Sequence, residues 1–162
     1  MRQEYERQIL KHSTAQSNKS KKDQTALASK YPQGFFKVKP CKVCGNEFTP
    51  NAPSELTCSE YCRAYSTTEA YYKRAYDLTI EGYLDHAEAQ EYKCAICGQD
   101  NFKMAEHHSG VLVVDHCHST GQMRGLLCHN CNRALGLFKD RPDVLQNAIH
   151  YLERATTIEK TS

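Results

Sequence analysis

Residues 111–138 read VLVVDHCHSTGQMRGLLCHNCNRALGLF, and the fold of the chain turns on this stretch. Four consecutive apolar residues, Val111–Val114, predict a short buried strand. Ser119-Thr120-Gly121 is a turn signal, so Gln122–Leu127 is expected to return as a second strand. From Cys128 the pattern changes to that of a helix, stopped near Asp140-Arg141-Pro142. Pro142 suits the first position of a last helix, in which Val144, Leu145, Ala148, Ile149 and Leu152 share an apolar face.

Cysteines frame this strand–turn–strand–helix unit. Cys94-x₂-Cys97 and Cys128-x₂-Cys131 are separated by 30 residues. A C-x₂-C turn points two sulfurs into one hemisphere, and two such turns complete a tetrahedron around Zn²⁺. A mixed site, in which His116 and His118 join Cys94 and Cys97, would strand Cys128 and Cys131. Upstream, Cys41-x₂-Cys44-x₁₃-Cys58-x₃-Cys62 repeats the logic with a looser second pair, and predicts a second structural zinc. That knuckle is read either as a DNA-contacting finger or as a structural or partner-docking module. Cys117 is left without a partner by spacing and is read as a filler residue.

Further outward the chain divides into four parts: a flexible basic arm at 1–34, a Cys₄ knuckle at 35–65, a helical connector at 66–93, and the core with its C-terminal helix at 94–157. Within the arm, Tyr5 and Ile9 mark a short helix ahead of the polar stretch 12–34. The connector reads as two helices broken near Asp77-Leu78. Thr79 is an N-cap for the second, and Tyr83, Leu84 and Ala87 form its apolar face. Residues 99–110 read as a polar loop.

Composition bounds the function. A chain of 162 residues divided into units this small buries little apolar surface, and nine cysteines supply the staples. Met1–Leu10 has no apolar run and no stretch reaches membrane-span length, which predicts an intracellular, reduced protein with no membrane partner. Cysteines in that setting bind metal more often than they pair. The formal charge is only +2, but residues 1–40 carry nine Lys/Arg against three Asp/Glu. A nucleic-acid partner would be held by such local clusters, although a lysine-rich tail is equally read as merely solvated.

The chemistry-bearing segment is Asp115-His116-Cys117-His118. In extended chain, His116 and His118 share one face, and Asp115 points the other way unless the strand twists or bulges. Asn132 follows Cys131 directly, so a zinc clamp would fix its helix against the strands. An imidazole can take a proton from water at cellular pH. A carboxylate and an amide oxygen suit Mg²⁺, whereas thiolates suit Zn²⁺. Arg124, Arg133, Lys139 and Arg141 are candidate phosphate contacts or plain surface charges.

Through Asp115-His116-x-His118 followed by Arg124-Gly-Leu-Leu-Cys128-x₂-Cys131-Asn132, residues 94–153 resemble the phage recombination endonuclease VII family, within the HNH (His-Me finger) superfamily. YDLTIEGYLDHAEAQEYKC, residues 76–94, resembles that family's lead-in helix, and the first 65 residues lie outside the resemblance. It implies an α+β fold with a zinc-bound ββα-metal core and Mg²⁺-dependent hydrolysis of DNA, leaving 5′-phosphate and 3′-hydroxyl ends. It further implies that Asp115 and Asn132 hold one Mg²⁺, that His116 is the general base and that His118 contacts the phosphate. Some members carry an acidic group three residues after the asparagine; here that position is Leu135. If phage-encoded, the protein would act in the host cytoplasm.

The resulting expectation is a DNA endonuclease with two structural zinc ions and a catalytic Mg²⁺, acting on branched DNA. The rivals are an HNH enzyme that nicks duplex DNA, and a non-catalytic zinc-dependent DNA-binding protein. Paired cuts in a junction would need a homodimer, for which Tyr71, Tyr72, Tyr76 and Tyr83 or the C-terminal apolar stripe are candidate contacts; the same residues would equally serve as monomer core.

Overall fold

The computed structural model describes residues 1–17, 31, 35–100 and 110–159, the side chains of 12–17 and 155–159 excepted. Strands β3 (Val113–His116) and β4 (Met123–Leu127), numbered after a two-residue hairpin upstream, form an antiparallel pair followed by helix α4 (His129–Leu137). The upstream hairpin is β1 (Lys39–Pro40) with β2 (Glu47–Phe48). The remaining helices are α1 (Arg2–Ser17), α2 (Glu60–Tyr76), α3 (Ile80–Ala89) and α5 (Pro142–Glu159). The architecture is α+β, as expected.

The short helix expected at Tyr5 and Ile9 is α1, which runs on to Ser17 inside the stretch expected as a flexible arm. Tyr5, Ile9 and Leu10 are buried in the main core beside Ile80, Tyr83, Leu84 and Ala87 of α3. Arg2 reaches across to Glu81, Asp85 and Glu88 at 2.7, 2.9 and 2.9 Å, three positions on one face of α3. These pairs are largely exposed, so water screens them and they contribute little to stability. Burying each large apolar side chain contributes about 1.5–3 kcal/mol. Burial therefore holds α1 in place and the ion pairs set its register. The rest of the expected arm, 18–30 and 32–34, lies outside the described residues, as does most of the polar loop (101–109).

Tyrosine organises the centre. Tyr5 packs on Tyr83 and Tyr92 with ring centroids 6.2 and 5.0 Å away, and Tyr72 stacks on Tyr83 at 5.1 Å. The Tyr5 hydroxyl accepts from the Leu112 N–H at 2.8 Å, and the Tyr83 hydroxyl donates to the Leu112 carbonyl at 2.7 Å. Both main-chain groups of this buried residue are thus satisfied by side chains, immediately before β3. That is why the strand begins at Val113, two residues later than the apolar run suggests. Burial raises the Tyr83 hydroxyl well above its ordinary pKa, so it stays a donor.

Two other boundaries move. Helix α2 starts at Glu60, not at 66, because the Ser59 hydroxyl caps it by accepting from the Cys62 N–H at 3.2 Å. The break near Asp77 stands where expected: Asp77 is left-handed (φ 52°), and the Thr79 hydroxyl caps α3 by accepting from Gly82 N–H at 3.0 Å. Tyr72 and Tyr83, read as dimer contacts or core, are core; Tyr71 is exposed and Tyr76 half-buried. In α5, Val144, Leu145 and Ala148 are half-buried, and Ile149 and Leu152 are exposed. No helix among the described residues is long and apolar enough to cross a membrane.

Candidate active site and metal clusters

The sulfur atoms of Cys94, Cys97, Cys128 and Cys131 lie within 4.8 Å of one another, and so do those of Cys41, Cys44, Cys58 and Cys62. Thiolates held ~2.3 Å from one tetrahedral Zn²⁺ would stand roughly 3.8 Å apart. The observed separations bracket that value: 3.9 Å for Cys97–Cys128, 3.5 Å for Cys44–Cys58 and 3.7 Å for Cys58–Cys62. Main-chain N–H groups also point at the sulfurs. The Cys44 N–H, working against burial and helped by those of Cys58 and Val43, holds the Cys41 thiol down to about 6. At Cys94 burial pushes the thiol up, but main-chain groups of Cys97, Cys128 and Ile96 bring it to about 7. Within each set the sulfurs compete to be the thiolate: the Cys44 sulfur pushes the Cys58 thiol up to about 12, and burial pushes the Cys131 thiol up, so a cation is what would let all four bind as thiolates. Among the described residues no histidine joins either cluster, so the mixed site with His116 and His118 is not formed.

The inner cluster is sewn to the strands. Ala95 N–H donates to the Leu126 carbonyl at 3.1 Å. Gln90 behaves like a neighbouring strand: its amide donates to the Leu126 carbonyl at 2.9 Å and its Oε1 accepts from the Leu126 N–H at 2.9 Å. A Cβ on Gly125 would come within 3.3 Å of that same Oε1, so a side chain there would make Gln90 shift by a few tenths of an ångström. Cys128 is both cluster member and N-cap of α4, accepting from Cys131 N–H through its sulfur at 3.4 Å. The cluster thereby sets where α4 leaves β4.

A bulge brings the polar residues together. Asp115 pairs with Gly125 but His116 pairs with Met123, so Arg124 is the extra residue on β4. Its guanidinium forks onto Asp115, Nε to Oδ2 at 2.7 Å and Nη2 to Oδ1 at 2.9 Å. Asp115 is only 7% exposed, and this pairing is what makes its burial affordable; stripping a buried carboxylate of its partner typically costs about 3–5 kcal/mol. Arg124 itself is 37% exposed, so water screens part of that interaction.

The Arg124 fork continues to Asp140 Oδ1 at 3.2 Å, and Asp140 Oδ2 meets His118 Nδ1 at 2.8 Å. The contact to His118, then the charge of Arg124, holds the Asp140 carboxyl below the ordinary carboxylate range. Asp140 had been read only as a helix stop. It reaches the site because Lys139 and Asp140 both adopt left-handed backbone (φ 56° and 52°), and their N–H groups bond back to the Gly136 and Leu135 carbonyls. Leu135, where some family members carry an acid, instead packs against the core. No local sequence signal marks Asp140 as a site residue.

The His116 ring lies 5.2 Å from that of His118 and 5.5 Å from that of Tyr76, both edge-on. The last residue of α2 thus supports one face of His116, a contact the sequence does not announce. Asn132 sits half-buried in the first turn of α4, the helix packed against both strands; its side chain makes no hydrogen bond to Asp115, His116 or His118. Cys117 stays outside both clusters. The Thr120 hydroxyl, with the Thr120 and Ser119 N–H groups, pushes its thiol down to about 7.

Residues 69–154 match the family model described as recombination endonuclease VII. The chain is 34% identical to the Gene 59 protein of Mycobacterium phage D29, over 76% of this chain and 78% of that protein. It is 35% identical to the Gene 59 protein of Mycobacterium phage L5, over 72% and 74% respectively. No solved structure matches.

Proposed function

The chain belongs to the recombination endonuclease VII family, and on that premise we propose that it is a Mg²⁺-dependent DNA endonuclease whose site is Asp115, His116, His118 and Asn132, extended by Arg124 and Asp140. The observation that carries this reading is the continuous bonded chain Asp115–Arg124–Asp140–His118 beside the His116 ring, at the junction of β3, β4 and α4.

The donor chemistry fits Mg²⁺: the Asp115 carboxylate and the Asn132 amide oxygen are hard oxygen ligands on adjoining elements, and the soft thiolates are sequestered in their own clusters. Asp115 and Asn132 would hold the ion once the Arg124 fork releases a carboxylate oxygen to it. When bound, the ion supplies positive charge to the phosphate and to the departing 3′ oxygen. The protein does the remainder. One imidazole nitrogen of His116 takes the proton of the attacking water, while the Tyr76 edge keeps the ring from turning away. His118, held by Asp140 at its Nδ1, turns Nε2 toward a phosphate oxygen and donates to it when the ring carries both protons. Arg124, partly exposed, offers its guanidinium to the same anion.

Among substrates, branched DNA is favoured by the family's description as a recombination endonuclease. The test is a nicking assay on a four-way junction, a linear duplex and a single strand, with and without Mg²⁺, alongside light-scattering measurement of the protein's mass. Junction-selective, Mg²⁺-dependent cutting by a dimer is the expected outcome. Binding without cutting under every metal condition would establish the non-catalytic reading instead.

A further inference from the structure

The outer cluster is tied to the site through one continuous helix, α2. Cys62, a member of the outer cluster, lies in the first turn of α2, and Tyr76 at the other end of α2 touches His116. Fourteen residues of helix separate them, roughly 21 Å. That span matches about six nucleotides of stacked DNA at ~3.4 Å per step.

The surface along this strut has a composition of its own. Arg63, Thr67, Tyr71 and Arg74, at i, i+4, i+8 and i+11, share one exposed face of α2. Neither arginine enters an ion pair among the described residues. At the cluster end, Lys37 and Lys42 are exposed and likewise outside any such pair. Phe35 stands 60% exposed, with its ring 5.1 Å from Phe36 and 5.2 Å from Tyr31. This is a large exposed ring braced by two neighbouring rings, two residues from the exposed Lys37. It suits a strand whose bases present π-faces and whose phosphates need cations.

We infer that the outer cluster and the exposed face of α2 form a DNA-tracking surface that takes an unpaired strand flanking the cut, with its phosphates on Arg74, Arg63, Lys42 and Lys37 and a base stacked on Phe35. The position of the cut at the α4 end rests on the nuclease reading above; the binding surface does not. Phe35, at the cluster end of this strut, acts as a specificity element for DNA with an unpaired flank.

The experiment is fluorescence anisotropy with the full zinc-loaded chain, without added Mg²⁺, on a blunt duplex and on the same duplex carrying a single-stranded tail. The wild type binds the tailed duplex about tenfold tighter, the value of one stacked base. Phe35→Ala removes that preference and Phe35→Trp restores it, both with zinc content unchanged. Lys37→Gln with Lys42→Gln lowers the slope of log affinity against log salt by about 1.4. A tail that adds no affinity, or a Phe35→Ala protein with its full zinc complement and undiminished tail preference, overturns the inference. A protein that prefers tails through Phe35 yet never cuts with Mg²⁺ leaves this surface standing and removes the nuclease reading alone.

Discussion

The two four-cysteine clusters have the same ligand chemistry and different relations to the fold. The inner one joins two knuckles separated by 30 residues, has Cys94 and Cys128 buried, and places α4 against β4 through Ala95, Gln90 and the Cys128 cap. The outer one closes a hairpin of two-residue strands, has Cys41 and Cys62 buried but Cys44 and Cys58 exposed, and joins the main body through Cys62 in α2. A metal clamp is worth what its surroundings let it organise. The inner cluster stands between core and site, whereas the outer one stands at the end of a strut.

The largest effect expected from this contrast is at Cys128. Cys128→Ser removes a thiolate and weakens the α4 cap at once. Structural zinc binding in small modules amounts to about 10–16 kcal/mol, more than a domain of this size has in reserve. Elemental analysis should fall from two zinc ions per chain to one, thermal unfolding should lose its cooperative transition, and nicking should vanish. Cys44→Ser should also leave one zinc, but with the cooperative transition and basal nicking retained. Equal damage from the two variants would break the comparison.

Chemistry can be separated from folding inside the inner region. His116→Ala should lower the cleavage rate by about 10²–10⁴, the usual contribution of a general base, with both zinc ions kept and DNA affinity within a few-fold. The ring rests on Tyr76 and His118 and bonds to no buried main-chain group, so the melting temperature should hardly move. A variant that melts far lower would mean that His116 belongs to the core.

What could be read from the chain follows the same division between local and long-range. Both clusters were legible because C-x₂-C and C-x₃-C turns are local geometry, and so were the Thr79 cap, the Ser119–Gly121 turn and the helix after Cys128. The run Val111–Val114 was placed two residues early as a strand: apolarity reports burial, but Leu112 spends its hydrogen bonds on Tyr5 and Tyr83. The docking of α1 was hidden in a polar stretch, since Tyr5, Ile9 and Leu10 match partners some 75–105 residues away in sequence. At the site, Asp115, His116, His118 and Asn132 stand on the expected elements. The bulge at Arg124 and the left-handed turn at Lys139-Asp140 were out of reach, because each is a tertiary accommodation with no residue-type signature of its own.

That hidden docking gives the next prediction in size. Tyr5→Phe keeps the ring stack on Tyr83 and Tyr92 and deletes the acceptor for Leu112 N–H. An unpaired buried N–H costs about 1–3 kcal/mol, which lowers the melting temperature by roughly 2–4 °C per kcal/mol in a chain of this length. Because Leu112 leads into the strand that carries Asp115 and His116, nicking should weaken in parallel. An unchanged melting temperature would show that α1 is held by burial alone and contributes nothing to β3.

The smallest effect is expected at Asp140, where the two regions of acid and base meet on the surface. Its carboxyl is held below the ordinary range by His118 and then Arg124. A carboxyl whose folded pKa is depressed contributes stability that is present above its unfolded value, near 3.8, and is lost as pH falls through the folded value. Asp140→Asn removes that contribution, so the variant's stability should approach that of wild type as the solution is acidified below pH 4 and differ from it at neutral pH. The gap should be modest, since His118 is largely exposed and screened. The sharper readout is kinetic. Without Asp140 the His118 ring loses the partner of its Nδ1, and Arg124 keeps only Asp115. If His118 meets the phosphate through Nε2, the substrate-binding parameter should worsen several-fold with the zinc content and the melting curve nearly unchanged. A variant that loses stability evenly at pH 3 and pH 7, with substrate binding intact, would place Asp140 with the α4–α5 turn and outside the site.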